Sequence, residues 1–159
     1  MKYKHIWVNG TINSGKSTVS KILGKELKMA VIEIDRFTDC VRDWMPLPEA
    51  FALNVALIPD IVAMYEKHGV GVIIPYPLSS KNYEELQEIL KDFLVVTVDP
   101  SIEIALTDRG DRKLGDWERE RIKTHYEMGI PFLPYGIRIE THEINADETA
   151  REITRHINI

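Results

Sequence analysis

Nine consecutive residues near the start of the chain have the types and spacing of a phosphate-binding loop. Residues 10–18 read Gly-Thr-Ile-Asn-Ser-Gly-Lys-Ser-Thr and fill every fixed position of the pattern G-x-x-x-x-G-K-[ST]. The glycines permit backbone conformations in which successive N–H groups turn inward around an anion. Lys16 then reaches the β- and γ-phosphates of a nucleoside triphosphate, and the Ser17 hydroxyl is placed to ligate Mg²⁺. The residues expected to hold the nucleotide are Gly10, Asn13, Ser14, Gly15, Lys16, Ser17 and Thr18.

The surroundings of this loop favour the same interpretation. The apolar run 6–8 precedes it, and the pattern that follows places Val19, Ile22 and Leu23 on one face of a helix. A helix that begins near Gly15 directs its positive dipole end at the bound phosphates. The alternative is a tight glycine turn with a solvated lysine, and the strand–loop–helix context favours the phosphate loop.

Two acidic residues, Glu33 and Asp35, lie at the end of a second predicted strand at 30–34. Alternation along a strand points Glu33 and Asp35 to the same side, at the end that faces the loop. One carboxylate is expected to orient the water ligands of Mg²⁺, and the other to accept a proton from an attacking hydroxyl. We assign the first role to Glu33 and the second to Asp35. The alternative is a helix-capping acid beside a solvated arginine.

A basic segment further along the chain contains two glycines among its charged residues. Residues 107–116 read Thr-Asp-Arg-Gly-Asp-Arg-Lys-Leu-Gly-Asp. Phosphoryl transfer needs a hinged basic loop that excludes water and stabilises charge developing at the γ-phosphoryl group. We therefore expect a lid at 108–128, with Arg109 and Arg112 as its catalytic arginines. The alternative is a surface loop in which the interleaved aspartates pair with the bases.

Helix-length and strand-length patterns alternate along the chain, which predicts an α/β fold with a parallel sheet. Five strands with helices on both faces form a three-layer, doubly wound P-loop fold, in which ligands lie beyond the carboxyl ends of the strands. The length of 159 residues predicts a single domain spanning 1–159. Strands are expected at 3–8, 30–34, 70–74, 93–98 and 137–140. Helices are expected at 15–28, 39–45, 49–67 with a bend or break at Pro59, 82–91, 101–107 with Ser101 as N-cap, 116–128 and 146–156.

Composition argues against two classes of partner. Twenty-five acidic residues against 20 basic ones give a formal charge of −5, which disfavours general binding to nucleic acid or anionic membranes. The longest apolar region, 50–65, is interrupted by Asn54, Pro59 and Asp60, so it is not expected to cross a membrane. No signal peptide is visible, and a cytoplasmic location is the expectation.

The phosphate loop, the Glu33-x-Asp35 pair and the arginine-bearing segment resemble the small P-loop kinases grouped with shikimate kinase, gluconate kinase and chloramphenicol phosphotransferase. The resemblance implies that Glu33 lies near Mg²⁺ and Asp35 near the reacting hydroxyl. It implies that Arg109 or Arg112 is the lid arginine. The nucleotide base in this group is contacted after the last strand, which implies a contact from the region 138–142, with Arg138 as the expected residue.

The chain departs from shikimate kinases in its acceptor region. Pro-Tyr-Pro stands at 75–77 in place of a glycine-rich turn, and the arginine that grips the substrate carboxylate has no secure counterpart within 51–61. Shikimate itself is therefore not the expected acceptor. Four apolar side chains suit a less charged or partly aromatic acceptor, with core packing as the alternative, although Arg42 leaves an anionic acceptor open. These side chains are Trp44, Met45, Phe51 and Tyr76.

Together these features predict a kinase that uses ATP and Mg²⁺ to phosphorylate a hydroxyl of a small molecule, as a monomer or homodimer. Its expected catalytic residues are Lys16, Asp35, Arg109 and Arg112. A nucleoside or nucleoside monophosphate kinase is a second possibility, but it calls for more arginine in 36–80 than this chain offers. A nucleotide-binding regulator or ATPase is a third, and it predicts slow hydrolysis that small molecules do not stimulate.

Overall fold

Five parallel strands form one sheet in the computed structural model, which describes residues 3–157. Their order across the sheet is β2-β3-β1-β4-β5, so the strand that leads into the phosphate loop is central. The predicted parallel α/β sheet is confirmed. The strands are β1 (His5–Asn9), β2 (Ala30–Val31), β3 (Val72–Pro75), β4 (Phe93–Asp99) and β5 (Ile137–Glu140).

Two apolar clusters, one on each face of the sheet, make up most of the core. Alternation along β1 sends Ile6 and Val8 into one cluster and Trp7 into the other. The helices that cover the sheet therefore form two outer layers, as predicted. They are α1 (Lys16–Leu27), α2 (Asp35–Asp39), α3 (Leu47–Lys67), α4 (Ser80–Leu90), α5 (Ile102–Ala105), α6 (Asp116–Glu127) and α7 (Ala146–Ile157), with a 3₁₀ turn at Ile130–Phe132.

The second strand is shorter than its sequence suggests, and the helix after it begins earlier. The predicted strand 30–34 ends at Val31, and the predicted helix 39–45 is wrong because α2 occupies Asp35–Asp39, with turns at 40–44. The amide of Ile32 still donates to the Ile73 carbonyl at 2.9 Å. Pro75, the next residue of β3 whose amide position faces β2, has no N–H to continue the ladder.

Two further predictions about helices are corrected. Helix α3 is continuous through Pro59, so the predicted break there is wrong, whereas a bend stays a prediction. Pro48 lies in its first turn. Ser101 does occupy the N-cap position of α5, but its side chain makes no capping hydrogen bond and its φ is 81°.

Helix α3 is long and apolar enough to cross a membrane when judged by length and composition alone. Only 22% of its apolar window is buried in the protein. A single helix of this kind is weak evidence for a membrane span. Its buried residues recur at a spacing of four and form one face against the core, while a neighbouring face lines the large cleft described below. The buried residues are Ala50, Asn54, Ile58 and Val62.

A buried histidine fastens the start of β1 to the end of α3. The Nδ1 atom of His5 accepts a hydrogen bond from the Val72 amide at 3.1 Å. The proton therefore lies on Nε2, which donates to Glu66 Oε1 at 3.0 Å. This hydrogen bond is the largest cause that lowers the pKa of Glu66 below its ordinary value, and nearby Lys4 adds to it.

Replacement of Glu66 by glutamine is expected to reduce stability in a pH-dependent way. Because the folded-state pKa of Glu66 is lowered, its stabilising effect is complete above the ordinary value of 4.5 and is lost as the pH falls through the folded value. The expected loss near neutral pH is roughly 0.5 kcal/mol, since the carboxylate is partly exposed and screened, or about 1–2 °C in melting temperature. Thermal unfolding of both proteins between pH 3 and 7 measures it.

The matched control is Glu84→Gln at an exposed position of α4. Its melting temperature is expected to follow that of the wild type throughout this range. A Glu66→Gln deficit that stays constant down to pH 3 would contradict the assignment.

Candidate active site

The phosphate loop lies between β1 and α1, beyond the carboxyl end of the central strand, as predicted. Gly10 has a φ of +149°, and a Cβ atom there would lie 2.6 Å from Ser14 Oγ and 2.7 Å from the Val98 carbonyl oxygen. Gly15, with a φ of +94°, immediately precedes α1. Asn13 also has a left-handed backbone. The backbone therefore closes on itself tightly enough that only glycine fits at position 10.

Lys16 reaches back across this loop. It is the first residue of α1, and its Nζ atom donates to the Thr11 carbonyl oxygen at 2.6 Å. Burial lowers the pKa of Lys16 to about 8, the charge of Asp35 opposes this shift, and Arg112 adds to it. The ammonium group thus lies inside the curve of the loop, in the electric field of Asp35 and Arg112. Ser17 and Thr18 are exposed at the start of α1.

Asp35 is the first residue of α2, so the expectation that strand alternation aligns it with Glu33 was wrong. Desolvation by the surrounding protein atoms raises the pKa of Asp35. The positive charge of Lys16 opposes this shift, and the negative charges of Glu33 and Asp39 add to it. Water still reaches the carboxylate, since Asp35 is exposed and lines the large cleft together with Lys16. Asp35 therefore faces the phosphate loop across open space.

Glu33 has different neighbours. Its carboxylate pairs with Arg36 at 3.2 Å and with Lys21, on the outer side of α1, at 3.6 Å. It is not among the residues that line the cleft. Its predicted role near Mg²⁺ stays a prediction, and it requires these ion pairs to rearrange.

The two predicted lid arginines contact different partners. Arg109 donates from Nη1 to the Asn13 carbonyl oxygen at 2.9 Å, so it lies against the phosphate loop itself. Arg112 lines the cleft and pairs with Glu118 Oε1 at 2.9 Å. The backbones of the two arginines form a tight turn in which each amide donates to the carbonyl of the other.

The phosphate loop is also tied to the segment that leads into the lid. The side-chain amide of Asn13 donates to the carbonyl oxygens of Ala105 at 2.9 Å and Thr107 at 2.8 Å. Asp108 pairs with Arg119 of α6, so it does not neutralise the lid arginines. In the alternative interpretation, the charges of a surface loop pair among themselves. Asp108 is paired, but its partner Arg119 lies on the next helix and outside the segment 107–116.

A cleft of about 1160 Å³ opens between Lys16, Asp35 and the lid. Phe51 and Tyr76, two of the four apolar residues assigned to the acceptor region, line it, whereas Trp44 is 71% exposed to solvent. Arg42 also lines the cleft but pairs with Asp39 at 2.5 Å. Helix α3 contributes an apolar part of the wall, and two other segments contribute mixed parts. The lining residues are Ala52, Val55, Ala56 and Pro59 from α3, Trp117, Arg121, His125 and Met128 from α6 and its end, and Ser80, Lys81, Asn82 and Glu85 from α4.

Arg138, the predicted contact of the nucleotide base, lies on β5 and is held by a buried carboxylate. Its Nε and Nη2 atoms donate to Asp99 Oδ2 at 3.0 and 2.6 Å, and its guanidinium lies 4.8 Å from the centre of the Phe132 ring. Tyr126 of α6 donates to the other oxygen of Asp99 at 2.9 Å. This network fixes β5 against α6 and leaves the base contact of Arg138 a prediction.

Sequence reasoning missed the contribution of His125. This side chain is 3% exposed, and its Nδ1 atom lies 3.1 Å from the Thr11 hydroxyl. Its only signal in the sequence is helical periodicity, because Ile122 is buried on the same face of α6. That signal indicates burial and does not reveal the partner.

The phosphate loop yields a direct test of its geometry. Gly10→Ala is expected to weaken nucleotide binding by at least about tenfold, because the added methyl group meets the Val98 carbonyl and the backbone strain amounts to roughly 1–3 kcal/mol. Titration with ATP and Mg²⁺ by calorimetry measures the change, and circular dichroism establishes that the variant is folded.

Gly115→Ala is the matched control. Its backbone has a φ of −79°, which any residue adopts, and the nearest atom to an added Cβ is 3.8 Å away. Binding is expected to stay at the wild-type level. Equal losses in the two variants would show that the close approach at Gly10 does not shape the nucleotide site.

The chain is similar to known proteins in sequence and in fold. The family model described as chloramphenicol phosphotransferase-like protein matches residues 4–158. No curated protein matches the chain. A shikimate kinase from Aquifex aeolicus vf5 is 19% identical, with 97% of this chain and 96% of that chain covered and a TM-score of 0.63. A gluconokinase from Sinorhizobium meliloti 1021 is 18% identical over 93% and 87% of the two chains, with a TM-score of 0.72.

A third solved structure contains ligands. The APS kinase from Mycobacterium tuberculosis, in complex with AMPPNP and APS, is 19% identical over 99% of both chains, with a TM-score of 0.66. At these identities the likeness concerns the fold. The chain therefore has the fold of the P-loop kinase group.

Proposed function

Because the chain belongs to the chloramphenicol phosphotransferase-like family, we propose that it is a kinase that transfers the γ-phosphoryl group of ATP to a hydroxyl of a small molecule. The observation that carries the proposal is the placement of Asp35 opposite Lys16 in one cleft, where each shifts the pKa of the other. A phosphate site and a carboxylate that orients or deprotonates the hydroxyl are two recurring parts of sites that transfer a phosphoryl group to an alcohol.

The residues of the loop fit a magnesium nucleotide. The Oγ atom of Ser14 is buried without a hydrogen-bond partner in the described chain, so it is available to a phosphate oxygen. Among residues 3–157, no cluster of three or more His, Cys, Asp or Glu forms a metal cage. Such a site suits Mg²⁺, which is commonly held by one or two protein groups together with substrate phosphates. Ser17 would ligate it directly, with Glu33 in support, and the ion would neutralise phosphate charge.

Each protein group then has a defined task. Asp35 accepts the proton of the acceptor hydroxyl, the hydroxyl oxygen bonds to the γ-phosphorus, and the bond from that phosphorus to the ADP oxygen breaks. The raised pKa of Asp35 makes it a stronger base than an ordinary aspartate. Lys16 exchanges the Thr11 carbonyl for phosphate oxygens. Arg109 and Arg112 supply positive charge from the lid.

The walls of the cleft favour an acceptor of low charge. Phe51 and its neighbours on α3 form an apolar wall, and Arg42 is already neutralised by Asp39. Arg36 is likewise paired, with Glu33. Both arginines within 36–80 are therefore engaged in ion pairs, and Arg121, the arginine that α6 adds to the cleft, lies over the Phe51 ring. An apolar wall beside a cation over an aromatic ring supports a partly aromatic alcohol as the acceptor.

Asp35→Asn is expected to lower kcat by about 10²–10⁴-fold, because an amide cannot accept the proton. The KM for ATP is expected to change little, since Asp35 lies on the acceptor side of the loop. Steady-state release of ADP with a saturating acceptor measures both constants. The control is Asp60→Asn, at an exposed position of α3 outside the cleft lining, with kcat close to wild type. Phosphoryl transfer by Asp35→Asn at the wild-type rate would rule out the base assignment.

A panel of hydroxylated compounds tests the kinase proposal itself. It would contain chloramphenicol, neutral aromatic alcohols, shikimate, gluconate, sugars, nucleosides and APS, each added to enzyme, ATP and Mg²⁺. Neutral, partly aromatic alcohols are expected to stimulate release of ADP more strongly than the carboxylates or phosphorylated compounds. ATP hydrolysis that no member stimulates would instead support a nucleotide-binding regulator or ATPase.

A further inference from the structure

A buried histidine on the lid helix contacts the phosphate loop. His125 lies in the third turn of α6, and its Nδ1 atom is 3.1 Å from the hydroxyl of Thr11. Both side chains are almost completely buried, at 3% and 1% exposure. None of the steps proposed above uses either side chain. A buried polar pair that joins two functional segments calls for a reason of its own.

Thr11 makes contacts both to helix α6 and within the phosphate loop. Its side chain meets His125, and its carbonyl oxygen accepts both the Lys16 ammonium at 2.6 Å and the Ser14 amide at 3.3 Å. A rotation of the Thr11 peptide would therefore move the acceptor of Lys16 and open the turn at Ser14. The hydroxyl contact with His125 restrains that rotation from outside the loop.

The imidazole is suited to a neutral hydrogen bond at this place. Burial lowers the pKa of His125 to about 3, and the charges of Arg121 and Lys16 add to the shift. The ring is uncharged at physiological pH, so it adds no further positive charge to those of Lys16 and Arg121. It retains one donor and one acceptor nitrogen, and either suits a threonine hydroxyl.

Helix α6 brings the same contact to the acceptor half of the cleft. Trp117 and Arg121, two and one turns before His125, line the cleft that Lys16 and Asp35 share. The Arg121 guanidinium lies 5.5 Å from the centre of the Phe51 ring on α3. The hydrogen bond between His125 and Thr11 thus joins the phosphate loop, where the nucleotide would bind, to the helix that borders the proposed site of the phosphoryl acceptor.

We propose that His125 is a positioning residue for the phosphate loop, which acts through the Thr11 hydroxyl to hold the first turn of the loop in the shape that lets Lys16 meet the nucleotide phosphates. The inference rests on the proposed function for its purpose, but not for its test, because binding of a nucleotide requires neither an acceptor nor turnover.

The test is a double-mutant cycle on nucleotide affinity. Thr11→Val keeps the shape of the side chain without its hydroxyl, and His125→Leu removes the imidazole. The dissociation constant for AMPPNP with Mg²⁺ is expected to rise roughly three- to tenfold in each variant, as for the loss of one hydrogen bond. The double variant is expected to be no weaker than the single ones, because both changes remove the same interaction. Thr11→Ser, which restores a hydroxyl, is expected to recover most of the affinity.

Two controls separate positioning from ordinary packing. Thr124→Val removes a hydroxyl from the neighbouring residue of α6. That hydroxyl donates to the Glu120 carbonyl within the helix, so the affinity of this variant is expected to match the wild type. Melting temperatures of all variants are recorded in parallel. Wild-type affinity in Thr11→Val, additive losses in the double variant, or no recovery in Thr11→Ser would each overturn the proposal, even where stability has fallen.

Failure of this proposal is distinguishable from failure of the proposed function. If the wild-type protein binds AMPPNP but transfers no phosphoryl group to any compound, the kinase proposal falls and the cycle still reports on His125. If phosphoryl transfer is found and the cycle shows no coupling, the kinase proposal stands and the positioning role of His125 falls.

Discussion

A buried ammonium group sets the requirements for the rest of this site. Lys16 lies inside the loop that carries it, where its only close acceptor in the described chain is the Thr11 carbonyl. Desolvation of an ammonium costs free energy, and this cost appears as the lowered pKa of Lys16. One backbone carbonyl offsets it in part, and Asp35 offsets a further part through its charge. A polyanion that enters the loop would compensate the remaining desolvation cost of the ammonium group. The folded loop therefore favours the binding of phosphate.

The same electrostatic problem explains why the neighbouring groups are arranged as they are. Arg112 lies in the cleft and lowers the pKa of Lys16 further, but Glu118 partly neutralises this arginine. His125, close to Lys16, is kept neutral by burial. Arg138 is neutralised by the buried Asp99. Lys16 and Arg109 therefore bring positive charge to the phosphate loop, whereas Arg112 and Arg138 are paired with carboxylates. Positive charge held in place at the loop is what preorganised stabilisation of a transferring phosphoryl group requires.

The parts of this protein that the sequence predicts correctly depend on local information. The phosphate loop is a contiguous pattern, and the last strand and helix are bounded by their own turns. The second strand was predicted too long because its end depends on Pro75, a residue of another strand more than forty positions away. Because of that error, strand alternation was extended to Asp35, which aligned it with Glu33. The function assigned to Asp35 does not depend on the error, because either geometry leaves it at the same edge of the sheet.

Partners far apart in the chain were beyond the reach of sequence reasoning. Thr11 and His125 are separated by 114 positions, and Asp99 and Arg138 by 39. No pattern in either segment specifies such a pair, since each side chain alone has the spacing of an ordinary buried residue. What topology does supply is the constraint that segments following β1 and β4 meet at one edge, because these strands are neighbours in the sheet. Within that constraint, the packing of side chains determines which hydrogen bonds form. The residues that join the phosphate loop to the lid are therefore the buried polar groups of α5 and α6 that face the segment after β1.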